Sequence, residues 1–176
     1  MSTNKAKEKH WALVSVLELV IFTGLLLFDQ WTKALSVEKL SGGRHFPLIR
    51  GVLEFYYLEN HGAAFSLFQN AQVFLSAVAV ITLAILAFLL FRTPHENPFY
   101  PMRILFVMVC AGAAGNLIDR LKFNYVRDFI YFSLINFPVF NMADIYVCVA
   151  MFFLVILVMF VYKDEDLKQI FPGQKG

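Results

Sequence analysis

Charged side chains are scarce in this chain of 176 residues. Only 16% of its residues are Asp, Glu, Lys or Arg, and 59% are hydrophobic, whereas soluble domains carry about 25% charged residues. The net charge is only +2 at pH 7, and no basic segment interleaved with aromatic residues is present, so we expect no binding of nucleic acid. The composition therefore predicts a protein embedded in a lipid bilayer.

Several chemistries lack their usual residues. Cys110 and Cys148 both fall within apolar segments, so we interpret them as small buried hydrophobic residues rather than a disulfide framework. The histidines are scattered without the spacing of metal ligands, and no nucleophile elbow or phosphate-binding loop occurs, so we expect no metal and no other cofactor. A Ser–Lys dyad would need Ser66 or Ser133 as its nucleophile. We interpret the lysines that could serve as its base as solvated charges at the membrane interface: Lys33, Lys39 and Lys122.

Four apolar segments are long enough to cross a membrane as helices, which takes about 20 residues. They lie at about 11–28, 73–91, 103–119 and 145–162. The third has only fifteen uncharged residues between Arg103 and Asp119, or about 22 Å of helix at 1.5 Å per residue. We therefore expect Arg103 to snorkel to one membrane surface and Asp119 to lie at the other. Residues 1–176 are predicted to form a single integral-membrane domain.

The connections between the spans predict a small β element. Residues 52–58 are rich in aromatic and β-favouring side chains, and together with residues 44–50 they predict a small sheet on the extracytoplasmic membrane surface. Residues 129–140, rich in Phe, Tyr and Ile, predict a helix or loop resting in the membrane interface. The predicted fold class is therefore an all-α membrane protein of four transmembrane helices with a small extracytoplasmic sheet.

The N-terminal segment predicts that both chain termini lie in the cytoplasm. Lys5, Lys7 and Lys9 precede the first span, which favours a cytoplasmic N-terminus by the positive-inside rule. No small-x-small cleavage site follows that span, so we interpret it as an uncleaved signal anchor. An even number of spans then returns the C-terminus to the same side.

Two aspartates, Asp128 and Asp144, stand beside apolar segments, where a carboxylate is costly and rarely without a function. Two carboxyl groups held close together cannot both ionise easily, so one stays an acid and the other acts as a base. Such a pair can activate water for peptide hydrolysis without a metal. We therefore predict an intramembrane aspartic hydrolase. The spacing of Asn141 and Asp144 also predicts a capping box at the start of the fourth span.

Asp29 and Lys33 stand four residues apart at the end of the first span, so they are neighbours on a helix. Two interpretations remain open at this point. The pair could be an interfacial anchor beside Trp31. Alternatively, Asp29 could face the bundle interior and hold a substrate backbone or a loop.

One face of the third span carries a small residue at one end and polar side chains at the other. Gly112, Asn116 and Arg120 recur at intervals of four residues, and Asp119 lies on the adjoining strip. Glycines in membrane helices commonly indicate close helix packing. Three polar side chains together at membrane depth instead predict the lining of a cavity.

Five motifs of this chain together resemble the bacterial lipoprotein signal peptidases (signal peptidase II). They are DQWTK at 29–33, NHGAAF at 60–65, GAAGNLIDR at 112–120, VRDF at 126–129 and FNMAD at 140–144. Their order along the chain and their register with four spans make the resemblance specific. One departure is Ala111, where the family usually has a second glycine.

The resemblance implies a membrane aspartic endopeptidase of the bacterial cytoplasmic membrane. Its substrates would be prolipoproteins, cleaved just before a cysteine that carries diacylglycerol, and membrane lipid would be its other partner. Asp128 and Asp144 are implied as catalytic, at the outer leaflet, and Asp119 is expected to tie the catalytic face together. Supporting or substrate-contacting roles are implied for the other motif residues: Asp29, Lys33, Asn60, Gly112, Asn116, Arg120 and Asn141.

The residues alone leave two other functions open. A metal-dependent membrane lipid transferase or phosphatase could bind Mg²⁺ through four carboxylates: Asp29, Asp119, Asp128 and Asp144. A non-enzymatic transporter or channel subunit could use intramembrane carboxylates to relay protons or ions. A chelator would stop the metal enzyme but not an aspartic pair, and cleavage of a diacylated substrate by the purified chain would exclude the transporter.

Overall fold

Long helices dominate the computed structural model, which describes residues 2–62 and 71–170. Within these residues, four helices are long and apolar enough to cross a membrane. The helices are α1 (Ser2–Leu40), α2 (Ala71–Arg92), α3 (Tyr100–Phe123), α4 (Met142–Ile156), which continues into a π-helical turn (Leu157–Val161), and the short α5 (Asp164–Ile170). The predicted fold class is confirmed, and the chain is a multi-pass membrane protein.

The spans are longer than the apolar runs that predicted them. α1 extends beyond residues 11–28 at both ends. α3 has 24 residues, or about 36 Å of helix at 1.5 Å per residue, and its length includes Arg103 and Asp119, which are both buried in the protein. α3 is also the most buried span and packs against α1, α2 and α4. The other spans expose mainly apolar side chains, as lipid-facing helices do.

Arg103 is buried instead of snorkelling, which corrects the prediction. Its side chain forms a two-point ion pair with Glu18 of α1, with Nε 2.6 Å from Oε1 and Nη2 2.9 Å from Oε2. Nη1 donates to the carbonyl oxygens of Leu90 and Thr93 near the end of α2, and Nη2 also lies 2.9 Å from Nε2 of His95. A charge is tolerated at this depth because each of its N–H groups has a partner.

A three-stranded antiparallel sheet joins the bundle where α1 and α3 end and α4 begins. Its strands are β1 (His45–Ile49), β2 (Leu53–Asn60) and β3 (Val126–Tyr131), in the order β1-β2-β3. β1 and β2 confirm the sheet that residues 44–58 predict. β3 was not predicted, and its pairing with β2 places Asp128 opposite Leu58.

Part of the segment predicted to rest in the membrane interface belongs to this sheet instead. Phe129 and Ile130 of β3 are buried together with Leu40 of α1, and Ile130 bridges to Phe140. Only residues 132–139 remain as a surface connection, with one 3-10 turn at Ser133–Ile135. Backbone pairing and core packing explain why the apolar residues 129 and 130 are removed from the surface.

The cysteines are not both buried. Cys148 is exposed on α4 and Cys110 is half-buried on α3, and both are free. The interpretation of Cys148 as a buried residue is therefore wrong. An apolar side chain on a membrane-spanning helix can face lipid and does not have to be buried in protein. Of the serines considered for a Ser–Lys dyad, Ser66 lies outside the described residues.

Candidate active site

The two aspartates predicted to be catalytic lie on different elements that meet at the sheet end of the bundle. Asp128 is in β3, and Asp144 is in the first turn of α4. β3 follows α3 almost directly because Asn124 ends the helix with φ 62°, a left-handed conformation that asparagine tolerates. Asp144 is close enough to act electrostatically on Asp128.

Asn141 links the two aspartates. Its Oδ1 accepts a hydrogen bond from the backbone N–H of Asp144 at 3.1 Å, and Oδ2 of Asp144 accepts from the backbone N–H of Asn141 at 3.1 Å, which confirms the capping box. Nδ2 of Asn141 also donates to Oδ1 of Asp128 at 2.6 Å. One buried asparagine therefore holds both the helix end that carries Asp144 and the side chain of Asp128.

Two further asparagines complete a frame of amides. Nδ2 of Asn60 on β2 donates to Oδ2 of Asp128 at 2.8 Å, and Nδ2 of Asn116 on α3 donates to Oδ1 of Asp144 at 2.8 Å. Nδ2 of Asn141 also donates to Oδ1 of Asn116 at 3.2 Å. In the described part of the chain, every hydrogen-bond donor to the two carboxylates is thus a neutral amide.

The amide of Asn60 is itself oriented by the backbone. The N–H of Gly62 donates to Oδ1 of Asn60 at 2.8 Å, so the NH₂ group points to Asp128. This contact places the first half of the NHGAAF motif at the site. Residues 63–65 of that motif lie outside the described residues.

Asp128 is suited to hold a proton at neutral pH. Its side chain is only 1% exposed. Burial, with a smaller contribution from the negative charge of Asp144, raises the pKa of Asp128 to about 7 against the opposing hydrogen bonds from Asn60 and Asn141. Asp144 is half-exposed and sits in the first turn of α4, where a helix favours negative charge. The pair therefore combines a candidate acid with a candidate base.

Lys33 is buried and not solvated, which corrects its interpretation from the sequence. Its Nζ lies 3.0 Å from Oδ2 of Asp29 and 3.6 Å from Oδ2 of Asp119, with no side-chain exposure. It also donates to Oδ1 of Asn116 at 2.8 Å. Because Lys33 engages the amide oxygen, the NH₂ group of Asn116 is left to face Asp144.

Asp29 faces the bundle interior, which decides between its two interpretations. Its Oδ1 accepts from the backbone N–H of Ala143 at 3.0 Å, so it holds the first turn of α4. A methyl group added at Gly115 would overlap the Asp29 carboxylate, and one added at Gly112 would lie 2.5 Å from the carbonyl oxygen of Ala143. Both glycines are therefore required by close packing around α3.

Asp119 ties β3 to the bundle through Arg127, and neither Arg127 nor Gln30 was assigned a role from the sequence. Arg127 contacts Asp119 through Nη2 at 2.7 Å and Nε at 3.1 Å. Oε1 of Gln30 accepts from Arg127 at 2.9 Å, and its Nε2 donates to Asp29 at 3.1 Å. Alternation along β3 could have indicated Arg127, because it must face away from Asp128. No pattern in the sequence indicates Gln30.

Arg120 differs from the other basic residues near the site. It is half-buried, and its Nε is buried with no hydrogen-bond partner among the described residues. Its charge interacts with those of Asp144, Asp128 and Asp119. A buried donor that is left unpaired is costly, so this guanidinium is available to a ligand that brings an acceptor.

Known proteins are similar to this chain over most of its length. The family model for signal peptidase (SPase) II matches residues 21–160. The chain is 35% identical over 152 residues to a lipoprotein signal peptidase of Clostridium tetani, covering 85% of this chain and 94% of the relative. It is 34% identical over 161 residues to a lipoprotein signal peptidase of Enterococcus faecalis, covering 92% of this chain and 96% of that relative. The chain belongs to the signal peptidase II family.

Solved structures agree with this assignment. A bacterial membrane enzyme solved by the in meso method superposes with a TM-score of 0.73 at 25% identity, covering 83% of this chain and 94% of that one. A second, at 24% identity, gives a TM-score of 0.70 over 91% and 93% of the two chains and shows the shared fold. Membership of the signal peptidase II family makes the chain a peptidase, and it confirms the resemblance seen in the five motifs.

The aspartates of this signal peptidase II chain do not gather as one set of ligands. Asp29 and Asp119 are engaged by Lys33 or Arg127, whereas Asp128 and Asp144 face amide donors. Among the described residues, no group of three or more His, Cys, Asp or Glu side chains could hold a metal ion. Family membership favours a peptidase over the lipid-transferase, phosphatase and transporter alternatives.

Proposed function

We propose that this peptidase removes signal peptides from diacylglyceryl-modified prolipoproteins, cutting before the lipidated cysteine, with Asp128 and Asp144 as an aspartic catalytic pair. The observation that carries the proposal is the amide frame, which positions two carboxyl groups without neutralising either. The substrate class is supported by relatives that are named lipoprotein signal peptidases.

The reaction follows from one acid and one base. The Asp144 carboxylate takes a proton from water, whose oxygen attacks the carbonyl carbon of the residue before the cysteine. Asp128 gives its proton to the carbonyl oxygen, which forms a tetrahedral diol. Asp144 then passes its new proton to the amide nitrogen as the C–N bond breaks, and a diol hydroxyl returns a proton to Asp128. Both groups end as they began.

The supporting residues divide by distance from the reacting groups. The three asparagines hold the catalytic carboxyl groups directly: Asn60, Asn116 and Asn141. Arg120 contacts the substrate, because its unpaired Nε can donate to a peptide carbonyl oxygen. The remaining motif residues act through these groups or through helix packing: Asp29, Lys33, Gly112 and Asp119.

The test is cleavage by the purified chain reconstituted in lipid, with EDTA present. A diacylated precursor peptide should yield a fragment that begins at the lipidated cysteine, identified by mass spectrometry. The same peptide without diacylglycerol is the control and should be cut poorly. Cleavage that stops in EDTA, or that occurs at another bond, would refute the proposed mechanism or cleavage site.

We also infer the orientation of the enzyme in the cell membrane. Lipidated precursors reach the site from the outer leaflet, so the sheet lies outside, and both termini and the α2–α3 connection are cytoplasmic. Arg50 and Glu96 are exposed on opposite connections. With Cys110 and Cys148 replaced, Arg50→Cys should react with a membrane-impermeant thiol reagent on intact cells stripped of any outer membrane, and Glu96→Cys should not. The reverse labelling would contradict the orientation.

A further inference from the structure

A cavity of about 790 Å³ lies between the last turns of α1 and the sheet. Much of its wall is formed by apolar side chains: Leu35, Leu40, Phe46, Phe55 and Phe129. Phe129 follows Asp128 in β3, and successive side chains of a strand point to opposite faces. The cavity is therefore on the face of β3 that is turned away from the Asp128 carboxyl group.

The hydroxyl groups on the cavity wall are already engaged. Oγ1 of Thr32 donates to the carbonyl oxygen of Asp29 at 2.8 Å, and Oγ of Ser36 donates to that of Lys33 at 2.8 Å. Their hydrogens therefore cannot serve a ligand without breaking a bond within α1. This part of the wall favours hydrocarbon over a polar occupant.

In the described part of the chain, the ionisable side chains that line the cavity are all basic: Lys39, Arg44 and His45. The nearest acidic partners stand outside the wall. Glu38 pairs with Lys39 at 2.6 Å as an exposed ion pair, which is weak, and Glu54 lies 3.6 Å from Nδ1 of His45. The mouth of an apolar cavity thus carries positive charge, which complements an anionic headgroup.

The cavity lies at the level of the bilayer where headgroups are expected. Trp31 is exposed on α1 directly before the wall residue Thr32, with its ring centroid 5.8 Å from that of Phe28, and exposed tryptophans are enriched at the membrane–water interface. The apolar surface continues from the cavity onto the edge strand through the exposed Phe46 and Leu48. A lipid can therefore enter from the side.

We propose that this cavity binds an anionic phospholipid of the surrounding leaflet, with an acyl chain between α1 and the sheet and the phosphate at Lys39 and Arg44. The diacylglyceryl group of a substrate carries no phosphate, and it would have to pass to the other face of β3 from Asp128. The bound lipid braces β1 and β2 against α1, and these strands carry β3 and its aspartate.

The headgroup is tested by lipid retention. The full chain is reconstituted in vesicles of phosphatidylglycerol and phosphatidylcholine, extracted in mild detergent and analysed by native mass spectrometry. The wild type should retain phosphatidylglycerol about tenfold over phosphatidylcholine, and Lys39→Gln with Arg44→Gln should abolish most of that preference. The control, Arg50→Gln with Lys122→Gln, removes the same charge elsewhere and should keep it. Equal retention of both lipids, or an equal loss in the control, would overturn the proposal.

Two further experiments test whether an acyl chain occupies the cavity and whether the bound lipid comes from the bilayer or from the substrate. Phe46→Ser should reduce retention several-fold, whereas Ile49→Ser, an equally exposed change on the same strand outside the cavity wall, should not. Equal retention by the two variants would contradict an acyl chain in the cavity. A non-cleavable diacylated peptide should leave the phosphatidylglycerol bound. One-for-one displacement would assign the cavity to the substrate and refute the proposal, while leaving the proposed cleavage reaction intact.

Discussion

The Glu18–Arg103 pair and the Asp128–Asp144 pair are both set into a membrane protein, but their charges are compensated differently. Arg103 meets an opposite charge and uses its remaining N–H groups on carbonyl oxygens and His95. Asp128 and Asp144 are both acidic, and among the described residues they accept hydrogen bonds from amide groups alone. Full pairing leaves no group free to react, whereas neutral amides position a carboxyl group and leave its charge and proton available.

Two cations near the candidate catalytic pair, Lys33 and Arg127, form their ion pairs with other carboxylates. Lys33 and Arg127 neutralise Asp29 and Asp119. Among the described residues, Lys33 is linked to Asp144 by hydrogen bonds through Asn116 and forms no ion pair with Asp128 or Asp144. This placement satisfies the buried structural carboxylates. It also keeps a direct ion pair away from Asp128, which would otherwise lose its proton at neutral pH.

The largest effect outside the proposed catalytic pair is expected from Lys33→Met. It leaves the Asp29 charge buried without its cation and frees the amide of Asn116. Removing one partner of a buried ion pair costs about 3–5 kcal/mol, so the free energy of unfolding in detergent should fall by that order. Cleavage per folded molecule should fall as well, by roughly 100-fold, because the amide that holds Asp144 is displaced.

Glu18→Gln is the matched change in the other pair. It should lower the free energy of unfolding by about 1–3 kcal/mol, because one charged hydrogen-bond acceptor of Arg103 is lost. Cleavage per folded molecule should remain unchanged. A folded Glu18→Gln variant that loses cleavage would show that the two clusters are not functionally separate.

Gly112→Ala is expected to have an intermediate effect. The new methyl group would lie 2.5 Å from the carbonyl oxygen of Ala143 and 2.7 Å from Cγ2 of Val147. It must push α4, and with it Asp144, away from α3, and a displacement near 1 Å costs roughly 100-fold in rate. Gly24→Ala is the control, because a methyl group there meets nothing within 4 Å. Equal cleavage rates for the two variants would exclude close packing as the role of Gly112.

A smaller effect is expected on the pH dependence of stability. The folded protein holds a proton on Asp128 up to about pH 7, whereas the unfolded value is 3.8. The folded state thus binds more protons in this window, so wild-type stability falls as pH rises from about 4 to 7. Asp128→Asn removes this loss, and its stability relative to wild type should grow by about 2 kcal/mol between pH 5 and pH 7. A constant difference between the two proteins would contradict a raised pKa.

Local patterns in the sequence were sufficient for much of the fold. Apolar runs predict the four spans because the bilayer requires about 20 such residues. The spacing of Asn141 and Asp144 predicts the capping box because both partners lie within one helical turn. The choice of Asp128 and Asp144 as candidate catalytic residues, which stays a prediction, likewise rests on the high cost of carboxylates beside apolar spans.

Long-range contacts could not be predicted in this way. The burial of Arg103 depends on Glu18, which lies 85 residues earlier. The burial of Lys33 depends on Asn116, which lies 83 residues later. β3 requires a partner strand far away in the chain, and its short sequence reads equally well as an interfacial segment. The spacing of Asp29 and Lys33 shows that they are neighbours but not which way their helix face turns.

The central claim is that Asp128 and Asp144 act as one catalytic pair held by neutral amides. It is tested most directly by the cleavage rates of Asp128→Asn, Asp144→Asn and the double variant, each compared with wild type per folded molecule in lipid. Each single variant should lose at least 100-fold in turnover while remaining folded, because the acid or base is removed with its shape retained. The double variant should be no slower than the singles. Near-wild-type cleavage by either single variant would contradict the claim.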